Sequence, residues 1–315
     1  MQSRDHEEGS PMQSDKQSGH IAAFLNTGSG TFQMLEIGHV RGMLERAFGD
    51  AGYELTIYTG GGADLISQMK EHSQSDDFDI LLAGGGDGTV SAAAETAWRN
   101  NKTLAVLPGG TMNLYARALS IPLDVELAID ALSSGKKKDA DIATANGDPF
   151  VHQFSVGLHP RMIRKRNNLD YQSRITKMLA STRAFWETIS HMPTCGVTID
   201  LDGKSEERQL SALSVSNNMF GSTAPPYAER LDGGELGVYM AGQLTWQKAL
   251  ILGTDLLIGQ TPNNPDLEIH SAKCVKLTVH EKPEGSQCVR DGELYDLPDE
   301  ITIELHAKEL SVLVP

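Results

Sequence analysis

Residues 81–95, LLAGGGDGTVSAAAE, place a lone carboxylate, Asp87, inside a run of glycines that follows a purely apolar stretch. Glycine marks backbone that turns with positive φ or lies close against a neighbour. Where such a turn leads from a strand into a helix, N–H groups and the helix dipole converge on one point, and a phosphate suits that point. Gly85, Gly86, Gly88 and Thr89 are placed for this, and PGGTMNLYARAL (108–119) repeats the design with Thr111. A third loop, NTGSGTF (26–32), follows the first apolar run. Neither GxxxxGK[ST] nor GxGxxG occurs, so the two common phosphate fingerprints are absent. Near the C-terminus, CVRDGELYDLP (288–298) sets Asp291 and Glu293 about a flexible Gly292. A carboxylate there can serve as general base toward a hydroxyl.

The elements that must position these loops follow from periodicity. HIAAFLN (20–26), YELTIYT (53–59), FDILLAG (78–84) and TLAVLPG (103–109) read as strands. Helical patterns over 34–52, 63–72 and 89–100 separate them. Alternating strands and helices predict a doubly wound parallel sheet, with ligands at the carboxyl ends of the strands. Beyond residue 140, near the exposed SGKKKDA, the texture changes. Strand patterns at 197–203, 210–218, 236–242, 274–280 and 301–305, with helices near 170–191 and 245–258, predict a mainly antiparallel second domain. The expected organisation is a disordered tail over 1–19, an α/β domain over 20–140 completed by about 302–315, and a β-rich domain over 141–301.

The 315 residues carry a net charge of −15, which argues against a nucleic-acid partner. Cys195, Cys274 and Cys288 are widely spaced, which points to reduced thiols rather than zinc ligands or disulfides. No apolar run approaches membrane-spanning length, and a cytoplasmic protein is expected. Arg161, Arg164, Lys165, Arg166, Arg174, Lys177 and Arg183 lie together in sequence, either as a solvated helix face or as a patch meeting an anionic membrane.

In order along the chain stand NTGSG (26–30), YTGGGA (58–63), GGDGT (85–89), PGGTMN (108–113), NNMFG (217–221), LDGGELGV (231–238) and RDGE (290–293). This series resembles the diacylglycerol kinase and sphingosine kinase superfamily, most of all its bacterial lipid kinases. The resemblance implies an NAD kinase/diacylglycerol kinase-like parallel sheet followed by an antiparallel β-sandwich. It implies ATP and Mg2+ as cofactors and a lipid hydroxyl as acceptor, met at a membrane surface. Asn26, Ser29, Gly30, Thr59, Gly85, Gly86, Asp87, Gly88, Thr89 and Thr111 would then hold the nucleotide. Asp87 would face magnesium through water, Asp232 would bind metal, and Glu293 or Asp291 would be the proton acceptor, with Asp87 next in line.

The sequence departs from the family pattern at four places. Thr27 replaces a proline, Ser91-Ala92 replaces Asn-Glu, Leu114 replaces an aspartate, and Gly233 stands where a metal-linked aspartate belongs. An NAD kinase-like enzyme and a non-catalytic nucleotide- or lipid-binding relative are the alternatives. The acceptor lipid and the oligomeric state, a homodimer included, are left open.

Overall fold

The structure, a computed structural model, describes residues 19–315 except Asp76, residues 168–193, residues 261–262 and Glu284. The expected tail over 1–19 lies outside the described residues apart from Gly19, and the helix expected near 170–191 lies wholly outside them.

The first half alternates strand and helix. Strands β1 (His20–Asn26), β2 (Glu54–Gly60), β3 (Ile80–Gly85) and β4 (Thr103–Pro108) pair in parallel in the order β2-β1-β3-β4. Every residue of β3 and β4 is buried, as continuous apolar runs in the centre of a two-faced sheet must be. Between them run α1 (Gly30–Met34), α2 (Ile37–Ala51), α3 (Gly62–His72) and α4 (Asp87–Arg99), followed by α5 (Leu114–Ala118) and α6 (Val125–Ser133). Helix α2 buries Val40, Leu44 and Phe48, one stripe at a spacing of four, and stops at Gly52 in the left-handed region. The chain leaves β1 toward β2 on one side, while β3 lies on the other. The carboxyl ends of β1 and β3 therefore flank a topological switch point, where such sheets bind ligands.

The second half is antiparallel. The chain continues through β5 (Lys136–Ala145), β6 (Asp148–Phe150), β7 (Gln153–Gly157), α7 (Leu158–Asn167), β8 (Cys195–Leu201), β9 (Lys204–Leu210), β10 (Ala212–Ser216) and β11 (Leu236–Ala241). Then come α8 (Trp246–Ile258), β12 (Glu268–Ala272), β13 (Cys274–Glu281), β14 (Gln287–Arg290), β15 (Glu293–Asp296) and β16 (Glu300–Val314). Strand β16 joins the two halves: it pairs in parallel with β4 and antiparallel with β13 and β5. The large sheet thus runs β2-β1-β3-β4-β16-β13-β8-β9, and a second sheet, β12-β11-β10-β7-β14-β15, stacks on its antiparallel part. Ile199, Val275 and Ile303 meet Val215, Leu236 and Val238 in the core between them.

Residue 140, the expected boundary, lies inside β5 rather than in a linker, because Lys136–Lys138 are exposed strand residues paired with β16. Among the described residues no helix is long and apolar enough to cross a membrane.

Candidate active site

The glycine-rich loops meet at the switch point and are sewn together by their own polar groups. At the end of β1, Asn26 Oδ1 accepts from Gly28 N (3.0 Å) and Asn26 Nδ2 donates to Thr89 Oγ1 (2.8 Å). Thr27 donates its N–H (2.8 Å) and its hydroxyl (3.1 Å) to Gly60 O at the end of β2. A proline, the family's usual residue, has no N–H for that bond. Thr31 N donates to Gly109 O (2.9 Å) and Gly109 N to Gly85 O (2.8 Å), which joins the third loop to the first two.

Asp87 opens α4, yet its carboxylate is engaged elsewhere. Oδ1 accepts from Leu114 N (2.7 Å) and Oδ2 from Asn113 N (3.1 Å), so Asp87 caps α5 from across the crevice. Asn113, in the left-handed region at φ 51°, clasps Gly110 through both its N–H and its carbonyl, at 2.8 Å each. Asp87, expected to face a metal, and the glycines, expected to face phosphates, also hold loop against loop. A Cβ on Gly110 would stand 2.6 Å from Gly86 Cα, and one on Gly85 would stand 2.7 Å from Thr89. Only glycine allows either approach.

What remains free at this rim is short. Thr59 and Thr111 are exposed, Gly30 faces open space, and Ser29 Oγ is buried without a partner among the described residues.

The β14–β15 hairpin reaches the same loops from the second sheet. Its turn, Asp291-Gly292, has φ of 46° and 90°, the left-handed pair that a two-residue hairpin requires. Asp291 accepts four hydrogen bonds: Ser91 Oγ (2.7 Å), Val151 N (2.9 Å), His152 N (2.9 Å) and Gln153 N (3.0 Å). These bonds fasten the turn both to α4 and to the start of β7. Glu293 is exposed and makes no hydrogen bond or ion pair to a described residue. Its Oε1 lies 3.6 Å from where a Cβ on Gly88 would stand. One carboxylate of the pair is consumed; the other is free and faces the GGDGT loop.

Residues 20–145 match the family profile described as the diacylglycerol kinase catalytic domain. That stretch is similar to the catalytic domain of the diacylglycerol kinases. It is 27% identical to a diacylglycerol kinase of Bacillus subtilis over 81% of this chain and 84% of that protein. It is 25% identical to a diacylglycerol kinase of Staphylococcus aureus, over 72% and 73% of the two chains. The crystal structure of a diacylglycerol kinase from Bacillus anthracis shares the fold, with a TM-score of 0.69 over 95% of this chain and 97% of that one, at 19% identity.

ATP is the phosphate donor that this kinase superfamily implies, and the rim fits it. The orphaned hydroxyl of Ser29 and the exposed Thr59 and Thr111 surround the loop amides at one strand end. Asp232, expected at a metal, lies beside Arg230 (3.6 Å) and Lys138 (4.0 Å). Among the described residues no three His, Cys, Asp or Glu side chains are grouped as a metal cluster.

Sequence reasoning missed two neighbours of this diacylglycerol kinase-type site. The imidazole of His152 packs on Phe220 with centroids 5.2 Å apart. Burial pushes its pKa down, against the upward pull of Asp291 and Asp87. Tyr115 is buried with its hydroxyl unpartnered; burial, and then Asp291 and Asp141, push its pKa up. No local motif marks either residue, because both owe their place to segments distant in sequence. The basic cluster is only partly described: Arg164 donates to Gly285 O (3.0 Å), while Arg174, Lys177 and Arg183 lie outside the described residues.

Proposed function

We propose that the protein is an ATP-dependent lipid kinase that phosphorylates a lipid hydroxyl, on diacylglycerol or a related lipid. The observation that carries this reading is the unpartnered carboxylate of Glu293 beside Gly88 of the GGDGT loop. A general base must be free and within reach of the proton it takes, and the four bonds held by Asp291 support Glu293 as the base. The names of the Bacillus subtilis and Staphylococcus aureus relatives support diacylglycerol as the acceptor class.

Bound ATP supplies the γ-phosphoryl group, and magnesium offsets its charge. Loop amides at Gly85–Thr89 and the hydroxyls of Ser29 and Thr111 orient the phosphates. Asp87 keeps the loops in register by holding α5. Glu293 accepts the proton of the acceptor hydroxyl, whose oxygen bonds to the γ-phosphorus as the bond to the β-γ bridging oxygen breaks and ADP departs. Asp291 positions Glu293 by fixing the hairpin turn. Any contact with a membrane surface belongs to the same proposal, since the acceptor is a lipid.

Incubation with radiolabelled ATP and a total lipid extract tests this reading. A labelled lipid product is expected, which Glu293→Gln removes. Label appearing on NAD, or on nothing, would overturn it.

A further inference from the structure

The loop LDGGEL (231–236) closes over β5 and β16, and the family resemblance implies that a magnesium ion bound by an aspartate at position 233 would help hold it. Here the residue is glycine, and the Asn218 side chain fills the space a side chain at 233 needs: a Cβ on Gly233 would stand 2.6 Å from Asn218 Oδ1. Gly233 N donates to that same oxygen at 2.8 Å. Gly234 N donates to Asp141 Oδ2 at 2.7 Å, and Lys308 N to Asp141 Oδ1 at 2.9 Å. Asp141 N returns a bond to Leu231 O at 2.6 Å, and Asn217 Nδ2 donates to Asp141 O at 2.9 Å. Asp141 is fully buried, so its charge is offset by these amides rather than by solvent.

Magnesium demands an octahedral shell of oxygens. Both oxygens of Asp141 already face N–H donors, and Asn218 Nδ2, buried without a protein partner, adds another donor beside the loop. That polarity disfavours a cation. The one carboxylate within the loop's first turn, Asp232, faces Arg230 and Lys138. We propose that Asp141 and Asn218 hold this loop directly, in place of a metal, so that the fold of the second half is independent of magnesium. Magnesium is then needed only where the nucleotide brings it.

The test requires no turnover and stands apart from the kinase reading. The full chain, free of nucleotide, is melted in EDTA and in millimolar magnesium chloride, and its metal content is measured after dialysis. The expected result is one Tm in both conditions and no stoichiometric magnesium. Asn218→Ala and Asp141→Asn should lower Tm by the same amount with and without the ion. If Asp141→Asn fails to fold, Asn218→Ala carries the comparison alone. One magnesium per chain, or a Tm several degrees higher with magnesium that either substitution abolishes, would overturn the proposal.

Discussion

The GGDGT loop and the RDGE turn look alike in sequence and differ in what they leave free. Each sets an aspartate among glycines at a strand end, and in each the aspartate serves as a clasp. Asp87 takes two amides of the neighbouring loop; Asp291 takes three amides and the Ser91 hydroxyl. The loop of Asp87 offers no second carboxylate, whereas two residues beyond Asp291 stands Glu293, unpartnered and turned toward Gly88. On the proposed reading, the residue that fixes the backbone and the residue that moves a proton are separate: the aspartates hold the frame, and the glutamate would act within it.

If Asp291 is a clasp, Asp291→Asn should cost stability as well as turnover. The amide keeps one acceptor oxygen and turns an NH2 toward amide donors, so at least one buried N–H is left unpaired, at about 1–3 kcal/mol each. Chemical denaturation should show a clear drop, and an unchanged midpoint would undo the distinction between the two carboxylates. Asp87→Asn should produce a smaller loss, since only Asn113 N and Leu114 N depend on it. Weaker ATP binding should accompany that loss, as read by isothermal titration.

Ser91→Ala sharpens the comparison further. It removes a single bond, to Asp291 Oδ2, that ties α4 to the hairpin, and should cost roughly 1 kcal/mol. A fall in kcat with little change in the KM for ATP would mark Ser91 as acting through the hairpin. The smallest effect is expected from pH. Burial holds the folded pKa of His152 below its ordinary 6.5. Below that value the unfolded chain therefore takes up a proton that folded His152 refuses, and stability falls as pH drops. Urea midpoints measured between about pH 8 and pH 5 should decline, and His152→Gln should flatten the slope.

Much of the frame was legible in the residues. FDILLAG and TLAVLPG are apolar throughout because β3 and β4 are covered on both faces, and the glycines after them mark the turns correctly. Polar edge strands were not legible: KSEERQL forms β9, yet its residues are exposed except Arg208 and Leu210 and leave no apolar alternation. KKKDA shows no strand pattern but is strand, since Lys136–Ala140 pair with residues of β16 about 170 positions away. ITIEL reads as a short strand, whereas β16 runs to Val314 past an irregularity between His306 and Leu310. The same distance hides the roles at the site. Nothing near RDGE says that Asp291 will be bonded by residues 91 and 151–153 while Glu293 is left free.

Glu293→Gln tests the separation of frame and chemistry most directly. The substitution preserves shape and removes the proton acceptor, so turnover with the acceptor lipid should fall by about 10²–10⁴-fold. ATP affinity and the denaturation midpoint should stay at wild-type values, because the Glu293 carboxylate bonds to none of the described residues. Wild-type turnover in this variant would contradict the account, and so would a loss of stability like that of Asp291→Asn.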